Sequence, residues 1–423
     1  MQQGAEERWG LGRRFAVCFA LVYFVLYLFP FPLNLIPWAG DYIDLYWNDV
    51  WASVVGWMGP AVFGVSINVE PNGSGDTTSN YVQVFCIAVS ALLLGFVFAV
   101  AGRKRWNYAR IHDWLRIYVR FGLAAAMLFY GAVKVIQAQF PPPGLGRLIQ
   151  PFGDASPMGL LWTFMGASRS YNAFSGFAEM LGGVLLTMRR TTLLGALLSA
   201  GVMANIAMLN FSYDVPVKLY SLHLLAMALF LALPDLGRLA RFFVLNRSVE
   251  PSLPAEPFAS PVLRIGTLVF RTVLVVYLIY TPLKNAVSQR KFFDSMQTPL
   301  HGIWRVDEYS AGGRVVPPLL TEENRWRRVI FDKGEMGVQF VSDVRIRYRL
   351  KLEETRHQLA LTRREDPTKK YSLSYERPVP TRLIVTGALE GQDVRAVLTK
   401  VETPKFLLVD RGFHWISEYP FNR

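Results

Sequence analysis

Only two of the 423 residues are cysteine, Cys18 and Cys86, and there is no Cys-x-x-Cys. A thiol relay through the chain's own cysteines is thereby excluded. Both sit early in apolar runs that antiparallel packing would place near opposite membrane faces, which leaves no route to a disulfide between them. Histidine is scarce as well, with five residues. No His-x-x-His, Glu-x-x-His or His-Glu-x-x-His spacing marks a metal site. A phosphate-binding glycine loop, a Gly-x-Ser-x-Gly elbow, a haem attachment motif and a kinase signature are also missing. The net charge is +13, but no basic run is interleaved with nucleic-acid motifs, so nucleic acid is not an expected partner. Finally, no apolar run of membrane-spanning length occurs after residue 291.

Before that point such runs recur. A helix rising 1.5 Å per residue needs about 20 apolar residues to cross the hydrocarbon core. Seven spans are expected, at 14–36, 81–102, 113–137, 171–188, 193–211, 217–234 and 261–283. The first follows Arg8, Arg13 and Arg14 and is too long for a signal-peptide core, which makes it a retained helix. Arg103, Lys104, Arg105 and Arg110, then Arg189 and Arg190, then Arg238, Arg241 and Arg247 fall on the same side as the basic N-terminus. The positive-inside rule then predicts a multi-pass protein of a bacterial-type inner membrane, with its N-terminus cytoplasmic and its C-terminus outside. The lipid bilayer is its first partner.

The connections have character of their own. Residues 41–60 interleave Trp47, Trp51 and Trp57 with Asp41, Asp44 and Asp49, a pattern for a helix in the headgroup region. Residues 157–168 predict a second interfacial helix. Pro71 to Asp76 reads as a flexible turn, Pro141-Pro142-Pro143-Gly144 ends the third span, and 248–260 is a proline-bearing linker. After Lys291 the pattern changes to short alternating runs: Trp326–Phe331, Val344–Leu350, Gln358–Thr362, Tyr371–Tyr375, Arg382–Ala388, Val394–Val401 and Phe406–Val409. Such spacing predicts an antiparallel barrel or sandwich. The aromatic tail from Arg411 to Arg423 is expected to pack back onto that domain or the bilayer surface. The fold class is thus a membrane all-α bundle followed by an extracytoplasmic β domain.

Ionisable residues inside spans are costly and mark function or pairing. Glu179 lies roughly 12 Å along the fourth span from its outer end, near the midplane. Lys134, Asn205, Asn210, Asp214 and His223 also belong to the outer half of the bundle. One reading gathers these six into an outward-opening, ligand-binding polar pocket. The other makes Glu179 half of a structural ion pair with Lys134 or Arg271, and Arg120 is a further intramembrane cation for such pairing. Gly122, Gly131, Gly176, Gly182, Gly183 and Gly195 are expected to let helices approach closely.

Three features within residues 113–240 point further. These are Tyr130-Gly131-x-x-Lys134, Glu179-x-x-Gly182-Gly183-x-Leu185-Leu186, and the basic pair Arg189-Arg190 before the next helix. In order and topology the stretch resembles the DoxX-like membrane family. That resemblance implies a four-helix core, in a family that includes subunits of quinone-reducing membrane oxidoreductases and companions of redox systems. It implies a quinone as the candidate cofactor and a membrane redox protein as the candidate partner, with Lys134 and Glu179 as pattern positions. The chain departs from the family by two helices before the core, one after it, and the β domain. Within that domain, Gly302-x-Trp304 and Arg411 are similar to the lipocalin-type barrel, in which an early Trp packs on a late Arg.

The expected domains are therefore 1–112, a transmembrane pair with an aromatic outer loop; 113–247, the four-helix core; 248–290, the linker and last span; and 291–423, the β domain. The leading expectation is a non-catalytic subunit or accessory factor of a membrane redox system, binding a quinone or lipid. One alternative is an enzyme acting on quinol or lipid, with Glu179 and His223 in acid–base roles. The other is a small-molecule transporter, although no inverted repeat is visible.

Overall fold

The computed structural model describes residues 9–69, 72–250, 260–402 and 405–422. Arg8, Pro71, residues 251–259 of the expected linker and Arg423 lie outside them, as does the Lys104 side chain. The chain forms two compact units, one of Met1–Val135 with Phe174–Leu283 and one of Ile136–Ala173 with Lys284–Arg423. The stretch 136–173, which the sequence pattern places inside the four-helix core, groups with the β domain instead.

Twelve α-helices occur among the described residues: α1 (Leu11–Leu28), α2 (Gly40–Met58), α3 (Thr78–Ala101), α4 (Tyr108–Val135), α5 (Leu145–Leu148), α6 (Pro157–Ala167), α7 (Arg169–Thr187), α8 (Thr192–Ser212), α9 (Lys218–Ala232), α10 (Leu236–Leu239), α11 (Pro261–Ser295) and α12 (Leu407–Asp410). Among the described residues six helical segments are long and apolar enough to cross a membrane: Leu11–Leu35, Thr78–Ala101, Tyr108–Val135, Arg189–Ser212, Lys218–Val244 and Pro261–Ser295. This is the make-up of a multi-pass membrane protein. The remaining expected span forms as α7, but Arg169, Asn172 and Glu179 leave it more polar than the six.

In the helical unit, α4 is the most enclosed of these spans. Its buried Leu115, Val119, Leu123 and Met127 form one core with Leu186, Ala196, Met203, Leu224, Met227 and Leu231 from α7, α8 and α9. Asp76 fastens the connection between α2 and α3 to α9. Its carboxylate accepts from the backbone N–H groups of Lys218 (2.8 Å) and Leu219 (2.9 Å), two of the donors that a helix start leaves unsatisfied. The next residue, Thr77, caps α3 in a reciprocal box with Asn80.

Among its described residues the second unit has nine strands: β1 (Gly302–Ala311), β2 (Arg314–Val315), β3 (Trp326–Asp332), β4 (Glu335–Phe340), β5 (Arg345–Glu353), β6 (Gln358–Arg363), β7 (Lys370–Val379), β8 (Arg382–Leu389) and β9 (Gln392–Lys400). All pairings are antiparallel. β1 and β3 to β9 follow one another around the sheet, β9 closes on β1, and β2 is a short hairpin arm on β1. The result is an eight-stranded barrel, which leaves few strand edges open. Its interior is filled by side chains. Trp304, Trp326, Phe331, Met336, Tyr348, Leu359, Leu373 and Leu383 are all essentially inaccessible, and each such side chain contributes about 1.5–3 kcal/mol by its burial.

Gly302, Trp304 and Arg411 were expected to form one signature. Gly302 has φ +140°, where a side chain would be strained and would meet Lys400. The Trp304 indole donates to Leu300 O (2.8 Å). The cation over its ring, however, is Lys400 at 5.8 Å. Arg411 lies over Phe421 instead, 3.9 Å from the ring centroid. Phe413, Trp415, Ile416 and Tyr419 are exposed, so these residues do not pack back onto the barrel. Nor is Phe406–Val409 a strand. It forms the short α12, and Asp410 accepts from the Phe406 N–H (2.6 Å) in a local turn that competes with strand pairing.

A bulge in β1 falls between Val306 and Glu308. It takes Asp307 out of the ladder and leaves its carbonyl to find another donor. Buried Arg325 supplies that donor. Its guanidinium donates to Asp307 O (3.1 Å), Val306 O (3.4 Å), Trp326 O (3.0 Å) and Val316 O (3.1 Å). Burial lowers the Arg325 pKa, and the nearby Asp307 charge acts in the opposite direction.

Candidate functional site

The polar centre of the helical unit begins with two glycines. A Cβ on Gly131 of α4 would stand 2.6 Å from Gly176 O of α7, and one on Gly176 would stand 2.6 Å from Gly131 O and 2.8 Å from Val135 N. Only glycine permits this backbone approach. Further along α7, a Cβ on Gly183 would be 3.1 Å from Ala124 O, and Gly195 of α8 presses in the same way on Leu186 N at 2.7 Å. The same contact sets Lys134 Cβ 2.9 Å from where a Cβ on Gly176 would be and Met180, next to Glu179, against Gly131, so Lys134 and Glu179 fall within reach of each other.

Lys134 Nζ donates to Glu179 Oε1 in a charge-assisted hydrogen bond. The two side chains are 7% and 1% exposed, so neither charge is held by bulk water. Here the ion-pair reading is met by Lys134, not by Arg271 or Arg120. Tyr130, one turn before Lys134, is close enough to Glu179 to interact with it electrostatically. Its ring lies 5.6 Å from that of Tyr220 on α9. A buried carboxylate and ammonium and two half-buried phenols therefore occupy one neighbourhood. Such a set can hold a polar head such as a carbonyl or hydroxyl while the surrounding helices take an apolar body.

The other expected residues are placed elsewhere. His223 of α9 has both ring nitrogens engaged. Leu219 O can only accept, so Nδ1 carries the proton (2.6 Å), and Nε2 accepts from the Tyr23 hydroxyl (2.7 Å). The imidazole lies face to face with Tyr27, centroids 3.9 Å apart and planes within 3°. Among the described residues no direct hydrogen bond joins His223 to Glu179. Asn210 is buried and donates to Ser221 Oγ (3.1 Å) and Val217 O (3.4 Å), which ties α8 to the start of α9. Asn205 is exposed on α8. Asp214 is exposed and pairs with Lys218 at 2.9 Å. The six residues thus do not line one pocket.

Arg120 is buried on α4. It donates to Thr192 Oγ1 (3.3 Å) and stacks over Phe121 (4.9 Å), and its Nε has no partner among the described residues. The charges that bear on it, Arg189, Arg271 and Arg116, are all positive. Arg271 makes no ion pair among the described residues. No group of His, Cys, Asp and Glu among those residues could hold a metal ion.

Sequence reasoning missed Tyr23 and Tyr27 as the ring partners of His223, Tyr220 beside Tyr130, and Asp76 as the cap of α9. The tyrosines carried a signal, since Tyr23 and Tyr27 share one face of α1 at i, i+4 spacing. Asp76 carried none, because it reaches α9 across more than 140 residues of chain.

No family model matches the chain, and no solved structure does. Over 118 residues the chain is 36% identical to a protein of Bacillus subtilis (strain 168) described as the uncharacterized protein YwoB. The match covers 27% of this chain and 73% of that protein.

Proposed function

We propose that the helical unit of this chain, which belongs to the same family as that Bacillus subtilis protein, is a DoxX-like membrane bundle that binds a quinone or a lipid. In this reading the chain is a non-catalytic subunit or accessory factor of a membrane redox system in a bacterial-type inner membrane. Its N-terminus is cytoplasmic and its β barrel is outside. The lipid bilayer and a redox protein within it are the partners.

The observation that carries the reading is the buried Lys134–Glu179 pair beside Tyr130 and Tyr220. Ionisable groups at membrane depth are retained where a polar ligand group or a proton is handled. A quinone offers two carbonyl acceptors to the ammonium and the phenols, and its tail suits the apolar helices. The His223 ring, closed off by Tyr23, Tyr27 and Leu219, serves to join α1 to α9.

The test is a titration of the detergent-purified full chain with a short-chain, water-soluble quinone. The expected result is saturable binding that Glu179→Gln abolishes while the helical circular-dichroism signal is kept. Equal loss of membrane yield in Glu179→Gln and Glu179→Ala would instead make the pair purely structural and overturn the reading.

A further inference from the structure

The second unit contains a cavity of about 720 Å³ outside the barrel, walled by β3 to β5 on one side and by the 137–156 stretch on another. Its charges divide unevenly between paired and unpaired. Arg290 is paired with Asp294, and Arg364 with Glu335. Asp332 is occupied by the Leu145 N–H (2.9 Å), and Glu365 stands 3.8 Å from Arg363. Arg345 donates to Gly146 O (2.9 Å) and Ile149 O (2.7 Å), with Asp154 and Asp343 as balancing charges.

Two arginines on this cavity are left without an anion. Arg147 meets only the neutral Gln150 Oε1, at 2.6 Å. Arg347 of β5 makes no hydrogen bond or ion pair through its side chain among the described residues. The two repel each other. Burial first, and the Arg347 charge second, hold Arg147 below the usual arginine range. A third positive element adjoins them. Ser156, the N-cap of the eleven-residue α6, lines the same cavity. The Arg147 guanidinium lies against the first turn of that helix, 2.9 Å from where a Cβ on Gly159 would be. The start of α6 carries partial positive charge, although Pro157 has no N–H and Ser156 Oγ already accepts from the Gly159 N–H (3.1 Å). Neither arginine is paired with one of the carboxylates that also line the cavity, and exposed Arg347 keeps its guanidinium donors free for an anion.

We propose that this cavity binds the phosphate group of an organic phosphate, with Arg147 and Arg347 as the oxyanion ligands. Phosphate fits better than a single carboxylate because it offers acceptors to two guanidinium forks and a helix start at once. The volume far exceeds that of inorganic phosphate, and Pro141, Pro142, Phe293, Ile330 and Val338 give the otherwise polar lining an apolar stretch. The ligand therefore has an apolar or neutral body, which a phospholipid or a soluble phosphate ester would each supply.

The full chain, reconstituted in nanodiscs of phosphatidylcholine, would be titrated calorimetrically with inorganic phosphate, glycerol 3-phosphate and dihexanoyl phosphatidic acid. The salt concentration is about 0.15 M, where non-specific surface attraction is screened beyond about 8 Å. The proposal expects one saturable site per chain for at least one organic phosphate, and a loss of about tenfold or more in Arg347→Gln. Binding of dihexanoyl phosphatidic acid alone assigns the site to a lipid, and binding of glycerol 3-phosphate assigns it to a soluble ester. Arg347→Gln removes no described contact, so it retains the wild-type melting curve, and Arg347→Lys retains part of the affinity. Binding unchanged in both Arg147→Gln and Arg347→Gln, or no binding of either organic phosphate, overturns the proposal.

Discussion

Lys134 on α4 and Glu179 on α7 form an ion pair that is shut off from solvent on both sides, and it exists because Gly131 and Gly176 let the two backbones touch. The pair and the glycines are one device. Most of its consequences can be measured without knowing the ligand.

Glu179→Ala leaves the Lys134 ammonium buried and alone. Breaking a buried pair in this way costs about 3–5 kcal/mol, so thermal unfolding followed by circular dichroism in detergent should shift sharply downward. Glu179→Gln keeps an acceptor for Lys134 and should lose much less. The double change Lys134→Met with Glu179→Leu removes both charges and should recover most of the stability, because no charge is left uncompensated.

The glycine contact predicts a contrast within the same unit. Gly176→Ala drives a methyl group against Gly131 O and Val135 N, whereas Gly201 on α8 has nothing within 4 Å of a Cβ. Overpacking of this kind costs about 1–3 kcal/mol. The melting temperature should fall in Gly176→Ala and hold or rise in Gly201→Ala.

In the barrel, Arg325→Met should destabilise by about 2–4 kcal/mol, because it strands the carbonyls at the β1 bulge. Arg325→Lys should not rescue it, since one ammonium cannot reach carbonyls spread around a planar fork. Chemical denaturation followed by tryptophan fluorescence would report both, through Trp304 and Trp326 in the barrel core.

Asp307 predicts an acid dependence. Burial pushes its carboxyl up, but the Thr399 hydroxyl (2.5 Å) and Arg305 Nε (2.9 Å) together hold it below its ordinary value of 3.8. A depressed folded value means that the stabilisation is complete above the unfolded value and is lost as pH falls through the folded one. Wild type should therefore lose this contribution below about pH 4, and Asp307→Asn should show a flatter acid limb, with a difference of about 1 kcal/mol or less at neutral pH for so exposed a group.

Much of the architecture was legible because the hydrophobic periods were long. Each expected span has a helix over it, and six of the nine strands carry readable alternation. β1 was hidden by its own bulge, since Asp307 and Glu308 break the alternation where the ladder shifts. β4 was hidden by the turn before it. Lys333 and Gly334 both have positive φ, as a two-residue hairpin requires, but Lys-Gly is a weaker signal than Asn-Gly. The site was legible in part. Glu179 and Lys134 stand out as charges in apolar helices, yet Arg271 was an equal candidate partner until the glycine contact set α4 against α7. The failure to gather Asn205 and Asp214 has a plain cause: depth along a helix says nothing about which face a residue takes.

The central claim is that the Lys134–Glu179 neighbourhood holds a quinone or lipid. Its most direct test is native mass spectrometry of the full chain released from mild detergent, beside Glu179→Gln prepared in the same way. The account predicts a stoichiometric quinone or lipid on the wild type that is missing from the variant. A wild-type protein that carries no such molecule, or a molecule retained equally by Glu179→Gln, would contradict it.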